Sequence, residues 1–227
     1  MARAEDSRER AGERGPGLIG AADFEIARGR ALCHGAVAMK LLLKILGGLV
    51  TLVLLLVVVA FFLPRQYRVQ RSVIIAAPAA TLFPFVADLR NWRLWGIWYE
   101  RDPALAAAYS ESPATDALGG WVSWHSETQG SGAATLTRVM PFTEVTYALS
   151  FEGMDLTSEG AFKLSQTEGG TKVVWSDAGD LGNNPVYRWF GLAMDGLIGG
   201  DFEAGLVNLK RVAEAAAKPD GPAVAHP

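Results

Sequence analysis

This 227-residue chain has one cysteine, three histidines and no excess of positive charge. A single cysteine, Cys33, excludes an intramolecular disulfide, and three histidines are too few for a Cys/His zinc cluster. We therefore expect no metal ion and no other cofactor. The formal net charge of −3 supplies no basic field for a polyanion, so nucleic acid is not an expected partner.

Short motifs of common enzyme classes are also missing. The sequence contains no phosphate-binding GxxxxGK[ST] loop and no GxSxG nucleophile elbow. A Ser-His-Asp triad would need His125, whose neighbours Ser123 and Ser126 offer no elbow geometry. These absences disfavour nucleotide-dependent and hydrolytic chemistry.

The apolar residues are concentrated in one run. Ile45 to Leu63 is nineteen consecutive residues without a charge. As a helix it would span roughly 28 Å, close to the thickness of a hydrocarbon core of about 30 Å. A buried soluble helix would need protein on every side, and a cleaved signal has a shorter apolar region. The sequence therefore predicts an uncleaved transmembrane helix over residues 41–63.

Polar segments flank the predicted helix and the domain. Residues 1–38 hold six arginines against six acidic residues without apolar periodicity, which predicts a disordered tail, and residues 218–227 are predicted to form another. Met39 begins a short basic segment typical of a natural amino terminus, so the first residues could be an over-extended start. The orientation inferred from flanking Lys and Arg depends on that start. We expect a single-pass protein of the cell (inner) membrane with its domain on the outward side.

Residues 67–217 contain all seven tryptophans and are long enough to bury one core. Two short helices are predicted after Pro78 and Asp88, behind a first strand. From Pro185 to Ala217 the apolar period changes to 3.6 residues, which predicts a long closing helix. Alternation of apolar and polar residues predicts further strands over about 106–110, 119–126, 132–140, 143–152, 155–165 and 171–178.

This order of elements predicts an α+β domain in which a curved antiparallel sheet wraps around the C-terminal helix, preceded by one transmembrane helix. Together with the segments RSVIIAAP (71–78), ADLRNWRLW (87–95) and MDGLIGGDFEAGLVNLK (194–210), it resembles the START-like superfamily of helix-grip proteins, in particular the bacterial SRPBCC group of polyketide cyclases/dehydrases and lipid-transport proteins. The resemblance covers roughly residues 67–217 and implies a cavity between sheet and closing helix that accepts an apolar ligand. It carries over no catalytic motif.

Two polar side chains are candidates for chemistry. If the strand face that His125 shares with Trp121 lined the cavity, the imidazole could be a general base or a ligand donor; otherwise it is a strand histidine near a wet edge. Asp201 falls about 20° from the centre of the apolar stripe of the closing helix. A carboxylate there must be partnered, protonated or exposed to a cavity. Asp201 is therefore either a structural partner of an indole N–H or a strand backbone N–H, or a polar anchor for a ligand hydroxyl or an acid/base group.

Apolar side chains at inward positions of strands and helices supply the rest of the predicted site, although the same spacing is typical of ordinary core. The predicted ligand-binding residues are Trp92, Trp95, Trp98, Trp121, Tyr147, Phe151, Phe162, Trp175, Met194, Ile198 and Asp201.

The sequence thus predicts membrane-anchored binding or transport of an apolar small molecule or lipid, with that ligand and the membrane as the expected partners. Two alternatives stay open. One is a cyclase or dehydratase acting on an aromatic or polyketide-like substrate, with Asp201 and His125 as acid and base. The other is a structural or regulatory membrane module whose cavity is filled by its own tryptophans.

Overall fold

The computed structural model describes residues 19–110, 118–154 and 156–218, with side chains from residue 39 onward. The chain divides between Leu56 and Val57 into two compact units.

Helix α1, Ile19–Ala60, belongs mainly to the first unit. Its last 22 residues, Met39–Ala60, have a mean hydropathy of 2.8, so this helix is long and apolar enough to cross a membrane. Its backbone is already helical from Ile19, whereas the sequence predicted a disordered tail up to residue 38. Alanine, arginine and glutamate are strong helix formers and no proline interrupts residues 19–38, which accounts for the difference. The remaining parts of the two predicted tails, residues 1–18 and 219–227, lie outside the described residues.

The second unit contains a seven-stranded antiparallel sheet in the order β1-β7-β6-β5-β4-β3-β2. Each strand interval expected from the sequence corresponds to one strand, which confirms the predicted α+β class. The strands are β1 (Gln66–Ile75), β2 (Ala106–Tyr109), β3 (Trp121–His125), β4 (Gly132–Met140), β5 (Glu144–Phe151), β6 (Thr157–Thr167) and β7 (Gly170–Asp180).

Three short helical segments connect β1 to β2, where the sequence predicted two. They are α2 (Ala79–Ala87), a 3₁₀ helix (Leu89–Leu94) and α3 (Ile97–Arg101). The Asp88 carboxylate accepts the Arg90 N–H at 2.9 Å and caps the 3₁₀ helix.

The closing helix α4 spans Pro185–Ala216, as the 3.6-residue period predicted. Asn184 caps it by accepting the Val186 N–H at 2.9 Å. Its buried side chains, Phe202, Leu206 and Leu209, pack on the inner face of the sheet. Burial of such side chains is worth about 1.5–3 kcal/mol each, which keeps α4 on the sheet.

Arg71 interrupts the apolar inner face of β1 because it is an ion-pair partner of α4. Its guanidinium lies 2.7 Å from Asp195 Oδ1 and 2.6 Å from Glu203 Oε1. Gly199 lies between these two acidic residues in the sequence, and a Cβ there would collide with the guanidinium. These two ion pairs hold α4 along β1 and so determine which side of the helix faces the interior of the domain.

Candidate ligand-binding cavity

A cavity of about 330 Å³ lies between the inner face of the sheet, the short helices and α4. Its wall is mostly aromatic and aliphatic. The lining residues are Tyr67, Trp92, Trp98, Tyr99, Leu105, Val122, Trp124, Gln129, Tyr147, Leu149, Phe151, Ser158, Trp175, Asp177, Met194, Ile198, Asp201 and Phe202. A concave, largely apolar space with a few polar groups is typical of sites for small organic ligands.

Tryptophans fill only part of the space between sheet and helices. Trp95 is 1% exposed and packs edge-on against Phe162 at 5.7 Å between ring centroids. The indole N–H groups of Trp92 and Trp95 donate to carbonyl oxygens of α2, at Val86 and Phe85, over 3.1 and 2.9 Å. Because these two rings are held in the core by their N–H groups as well as by packing, they do not extend across the remaining space.

Most residues of the predicted ligand-binding set lie on the cavity wall. Trp95 and Phe162 do not, because both are buried in the core next to the wall. Trp121 does not either, and it is 40% exposed. The members that line the cavity are Trp92, Trp98, Tyr147, Phe151, Trp175, Met194, Ile198 and Asp201.

The face of β3 that lines the cavity is the one opposite to Trp121 and His125. Val122 and Trp124 line the wall, so alternation places Trp121 and His125 on the outer face. His125 is exposed, with Nδ1 2.8 Å from Ser131 Oγ. His125 does not face the cavity and cannot act on a ligand there. It is a solvent-exposed histidine at the end of a strand, the second of the two alternatives that the sequence offered. The sequence could not choose between the faces because a tryptophan stands on each.

Asp201 reaches the cavity wall and is also partnered. Arg101 Nη1 donates to Asp201 Oδ2 at 2.9 Å, and a second contact joins Nη2 to Oδ1. The partner is thus a guanidinium on α3, not the indole or backbone N–H that the sequence suggested. The carboxylate side chain is only 17% exposed, so the pair holds α3 against α4 beside the cavity. Asn208 adds a hydrogen bond from α4 to Glu100 at 3.2 Å.

A second polar group on the wall was not singled out from the sequence. The Asp177 carboxylate on β7 accepts the Tyr67 hydroxyl at 2.7 Å and the Ser158 hydroxyl at 2.9 Å. Burial raises the pKa of Asp177, and the two donated hydrogen bonds oppose that shift. The sequence does contain a signal for Asp177, because period-two alternation from Val173 through Trp175 puts Asp177 on the inward face of β7.

Tyr147 and Trp175 continue this polar group. Trp175 Nε1 donates to Tyr147 Oη at 2.8 Å. Burial raises the pKa of the Tyr147 hydroxyl, which stays protonated and able to donate. We call Tyr67, Tyr147, Ser158 and Asp177 the polar cluster. It gives one part of a largely apolar cavity a defined set of donors and acceptors.

The described part of the chain contains no cluster of side chains suited to a metal ion. Within residues 19–110, 118–154 and 156–218, no three His, Cys, Asp or Glu side chains come together in a way that could hold an ion.

Solved structures with the same fold cover the domain. A protein of Rhizobium leguminosarum matches with a TM-score of 0.50 and 18% identity over 66% of this chain and 95% of its own. A protein of Thermobifida fusca matches with a TM-score of 0.50 and 17% identity over 64% and 92%. The di-domain ARO/CYC StfQ from the steffimycin biosynthetic pathway has a TM-score of 0.50 and 12% identity over 66% and 51%. At these identities the likeness shows the fold alone.

Comparison with curated proteins finds no match to this sequence. The family model described as "Polyketide cyclase / dehydrase and lipid transport" matches residues 66–214. That match covers well over half of the chain and includes all seven strands and nearly all of α4. The chain therefore belongs to the polyketide cyclase/dehydrase and lipid-transport family.

Proposed function

We propose that this protein binds and carries an apolar small molecule or lipid in the cavity between the sheet and α4, while its N-terminal helix anchors it in a membrane. The observation that carries the proposal is the cavity itself, which stays open beside a well-packed aromatic core. Lipid transport is one of the activities in the family description, and a ligand-binding fold agrees with it.

The size of the cavity is compatible with useful affinity. If a ligand buries about 300 Å² of apolar surface at roughly 25 cal/mol per Å², the gross gain is about 7 kcal/mol. Association costs reduce this sum, and aromatic packing adds to it. Micromolar dissociation constants then require no charged contact.

The last turn of α1 and the residues after it are held to the start of α4 within the second unit. Arg188, in the first turns of α4, donates to the carbonyl oxygens of Ala60 at 3.3 Å and Phe61 at 2.9 Å. Its guanidinium also lies 5.5 Å from the Phe61 ring centroid. Phe62 and Phe190 are exposed apolar side chains of the same unit, and contact with a bilayer would bury them.

Proximity to a membrane would help a carrier of apolar molecules. Strand β1 begins at Gln66, a few residues after the end of α1, so the connection is short. A tethered cavity meets membrane-dissolved ligands at high effective concentration. The side of the membrane on which the domain lies stays a prediction.

Native mass spectrometry of the detergent-extracted full chain tests ligand binding. Ile198→Trp places a large side chain in the cavity wall, while Leu197→Trp places the same side chain on the exposed face of the same helix. We expect the unmodified chain and the Leu197→Trp variant to carry a co-purified small molecule, and the Ile198→Trp variant to have lost most of it. Empty protein in all three preparations, or equal loading in both variants, contradicts the proposal.

Membrane anchoring is tested separately by alkaline carbonate extraction. The unmodified chain should stay in the membrane pellet. Leu49→Arg combined with Val53→Arg places two charges inside the apolar run, each costing about 2.5–3.5 kcal/mol on insertion scales, and should shift the chain to the soluble fraction. Thr51→Ser within the same run serves as the control and should leave the chain in the pellet.

The cyclase alternative requires Asp201 and His125 to act together as acid and base, and the structure does not bring these two side chains together. Asp201 lines the cavity in an ion pair with Arg101, whereas His125 lies on the outer face of β3. Binding without turnover by those two residues is therefore the function we favour.

A further inference from the structure

The polar cluster is built by the register of four neighbouring strands. Asp177 on β7 lies opposite Gly160 on β6, which in turn lies opposite Tyr147 on β5. One row further, Gly179 on β7 lies opposite both Ser158 and Tyr67. The carboxylate therefore stands between two hydroxyl groups on adjacent strands and beside a second tyrosine.

Two glycines make room for this convergence. A Cβ at Gly179 would lie 2.7 Å from the Tyr67 ring, and a Cβ at Gly160 would collide with the Tyr147 ring. Without these side chains, both tyrosine rings lie across the sheet towards the row that contains Asp177. Two positions on the inner face of the sheet thus carry no side chain of their own. The tyrosine rings occupy that space, which brings their hydroxyl groups to the cavity wall.

The carboxylate in this cluster has no positive partner. Asp177 is 3% exposed, and each of its oxygens accepts one hydrogen bond from a neutral hydroxyl. No ion pair among the described residues involves it, and none of the described residues on the cavity wall is Lys, Arg or His. A buried carboxylate is costly unless it is paired, and a carboxylate oxygen can accept more than one hydrogen bond. The Asp177 carboxylate, which lies on the cavity wall, therefore keeps acceptor capacity for a donor that brings a positive charge.

The other carboxylate on the wall does not share this property. Asp201 is neutralised by Arg101 through two contacts. The uncompensated negative charge of the cavity is thus confined to the polar cluster.

Aromatic rings surround the cavity in which that charge lies. Trp92, Trp98 and Trp175 line the wall together with Tyr67 and Tyr147. The faces of such rings attract cations by about 0.5–2 kcal/mol, most strongly when the site is desolvated. A carboxylate without a counter-ion, beside several aromatic rings, is selective for a cationic group over a neutral or anionic one.

We propose that the ligand of this cavity is an apolar molecule that carries a protonated amine, and that the ammonium group pairs with Asp177 while the apolar body lies against the tryptophans. This inference rests on the proposed ligand-binding function and adds the charge of the ligand to it. The hydroxyls of Tyr67 and Ser158 hold the carboxylate in place, so they are positioning residues for the contact.

Three naphthalene compounds of matched size test the charge preference: naphthylethylamine, naphthylethanol and naphthylacetate. Binding is measured by calorimetry on the full chain in nanodiscs of neutral phosphatidylcholine, so that lipid charge does not attract the amine. We expect the amine to bind about tenfold more tightly than the alcohol, and the acid to bind more weakly than either.

Substitution of the carboxylate assigns the preference to Asp177. Asp177→Asn keeps the side-chain size and removes the charge, so in this variant the amine should lose its advantage and bind about as tightly as the alcohol does. Asp180→Asn makes the same change at an exposed carboxylate of β7 outside the cavity wall, so this control variant should keep the preference. If Asp177→Asn does not fold, the order of the three compounds on the unmodified chain still decides the question.

The outcomes separate this inference from the proposed function. Alcohol binding as tight as amine binding, or tight binding of the acid, overturns the amine assignment while leaving an apolar-ligand carrier in place. An amine preference that survives in a folded Asp177→Asn protein also overturns it. If none of the compounds binds, and the Ile198→Trp variant differs in nothing from the unmodified chain, the proposed function fails and the inference fails with it.

Discussion

Trp175 and Phe202 stack face to face, with ring centroids 4.1 Å apart and planes inclined by 1°. Trp175 is on β7 and Phe202 is on α4, so this pair joins the sheet to the closing helix. The Trp175 ring is also packed edge-on by Trp95 at 5.4 Å and by Trp98 at 5.8 Å. The same indole thus belongs to the core on one side and to the cavity wall on the other, so stability and ligand binding depend on one aromatic ring.

Phe202→Ala should destabilise the domain by about 3–5 kcal/mol, because it removes a buried ring and the stack with Trp175. Val207→Ala, at a position on the same helix that is 64% exposed, should change stability by less than about 0.5 kcal/mol. Urea unfolding followed by tryptophan fluorescence measures both, because all seven tryptophans lie in the domain. Equal effects of the two substitutions would contradict the packing described for α4.

Two glycines on α4 should respond to alanine in opposite directions. A Cβ at Gly205 would lie 2.8 Å from the buried Trp175 ring, whereas a Cβ at Gly200 would meet nothing within 4 Å. Gly200→Ala should stabilise the protein by about 0.5–1 kcal/mol through helix propensity. Gly205→Ala gains the same propensity but overpacks the core by about 1–3 kcal/mol, so its net effect should be destabilising. A stabilising Gly205→Ala in the same urea assay would show that α4 is free to move away from the sheet.

The pH dependence of stability should carry the signature of Asp177. Burial raises the pKa of this carboxyl above its ordinary value of 3.8, so the folded protein holds the proton more tightly than the unfolded chain does. Its contribution to stability is complete below that value and is lost as the pH rises through the native pKa. The free energy of unfolding of the unmodified chain, minus that of Asp177→Asn, should therefore fall as pH increases from about 3.5 to 7.

Other carboxyls oppose this trend but cancel in the comparison. Hydrogen bonds from Ser126 and from Arg71 lower the pKa values of Asp102 and Asp195, so these groups add stability as pH rises. Both are present in the unmodified chain and in the variant. A difference that stays flat or rises with pH would mean that Asp177 is not desolvated in the folded protein.

The Arg101–Asp201 pair should control local opening of α3 more than global stability. Both side chains are partly exposed, so Asp201→Asn should lower the free energy of unfolding by no more than about 1 kcal/mol. Helix α3 has only five residues and is held to α4 by this pair and by Asn208. Amide hydrogen exchange of residues 97–101 should therefore become faster in the variant. Asp180→Asn, in the exposed pair with Arg65, is the matched control and should leave exchange in α3 unchanged.

Local patterns were sufficient to predict most of the fold. The alternation through Val145, Tyr147 and Leu149 predicted both a strand and its inner face, because successive strand side chains point to opposite sides. The period of residues 185–217 predicted the closing helix for the equivalent reason. The backbone of residues 19–38 is helical, although the lack of apolar periodicity predicts an irregular chain there. Intrinsic propensity favours helix in this segment, and periodicity alone does not report it.

The sequence by itself determined the elements, their order and the apolar span, since these depend on periodicity and on residues close together in the chain. Only the tertiary structure decided which face of β3 meets the cavity, because tryptophans occupy both faces and the register of pairing with β4 makes the choice. It also decided the partners of the acidic residues. Arg101 and Asp201 are 100 positions apart, and Tyr67 and Asp177 are 110 apart. Contacts over such distances depend on strand register and on the placement of α4, which no local pattern specifies.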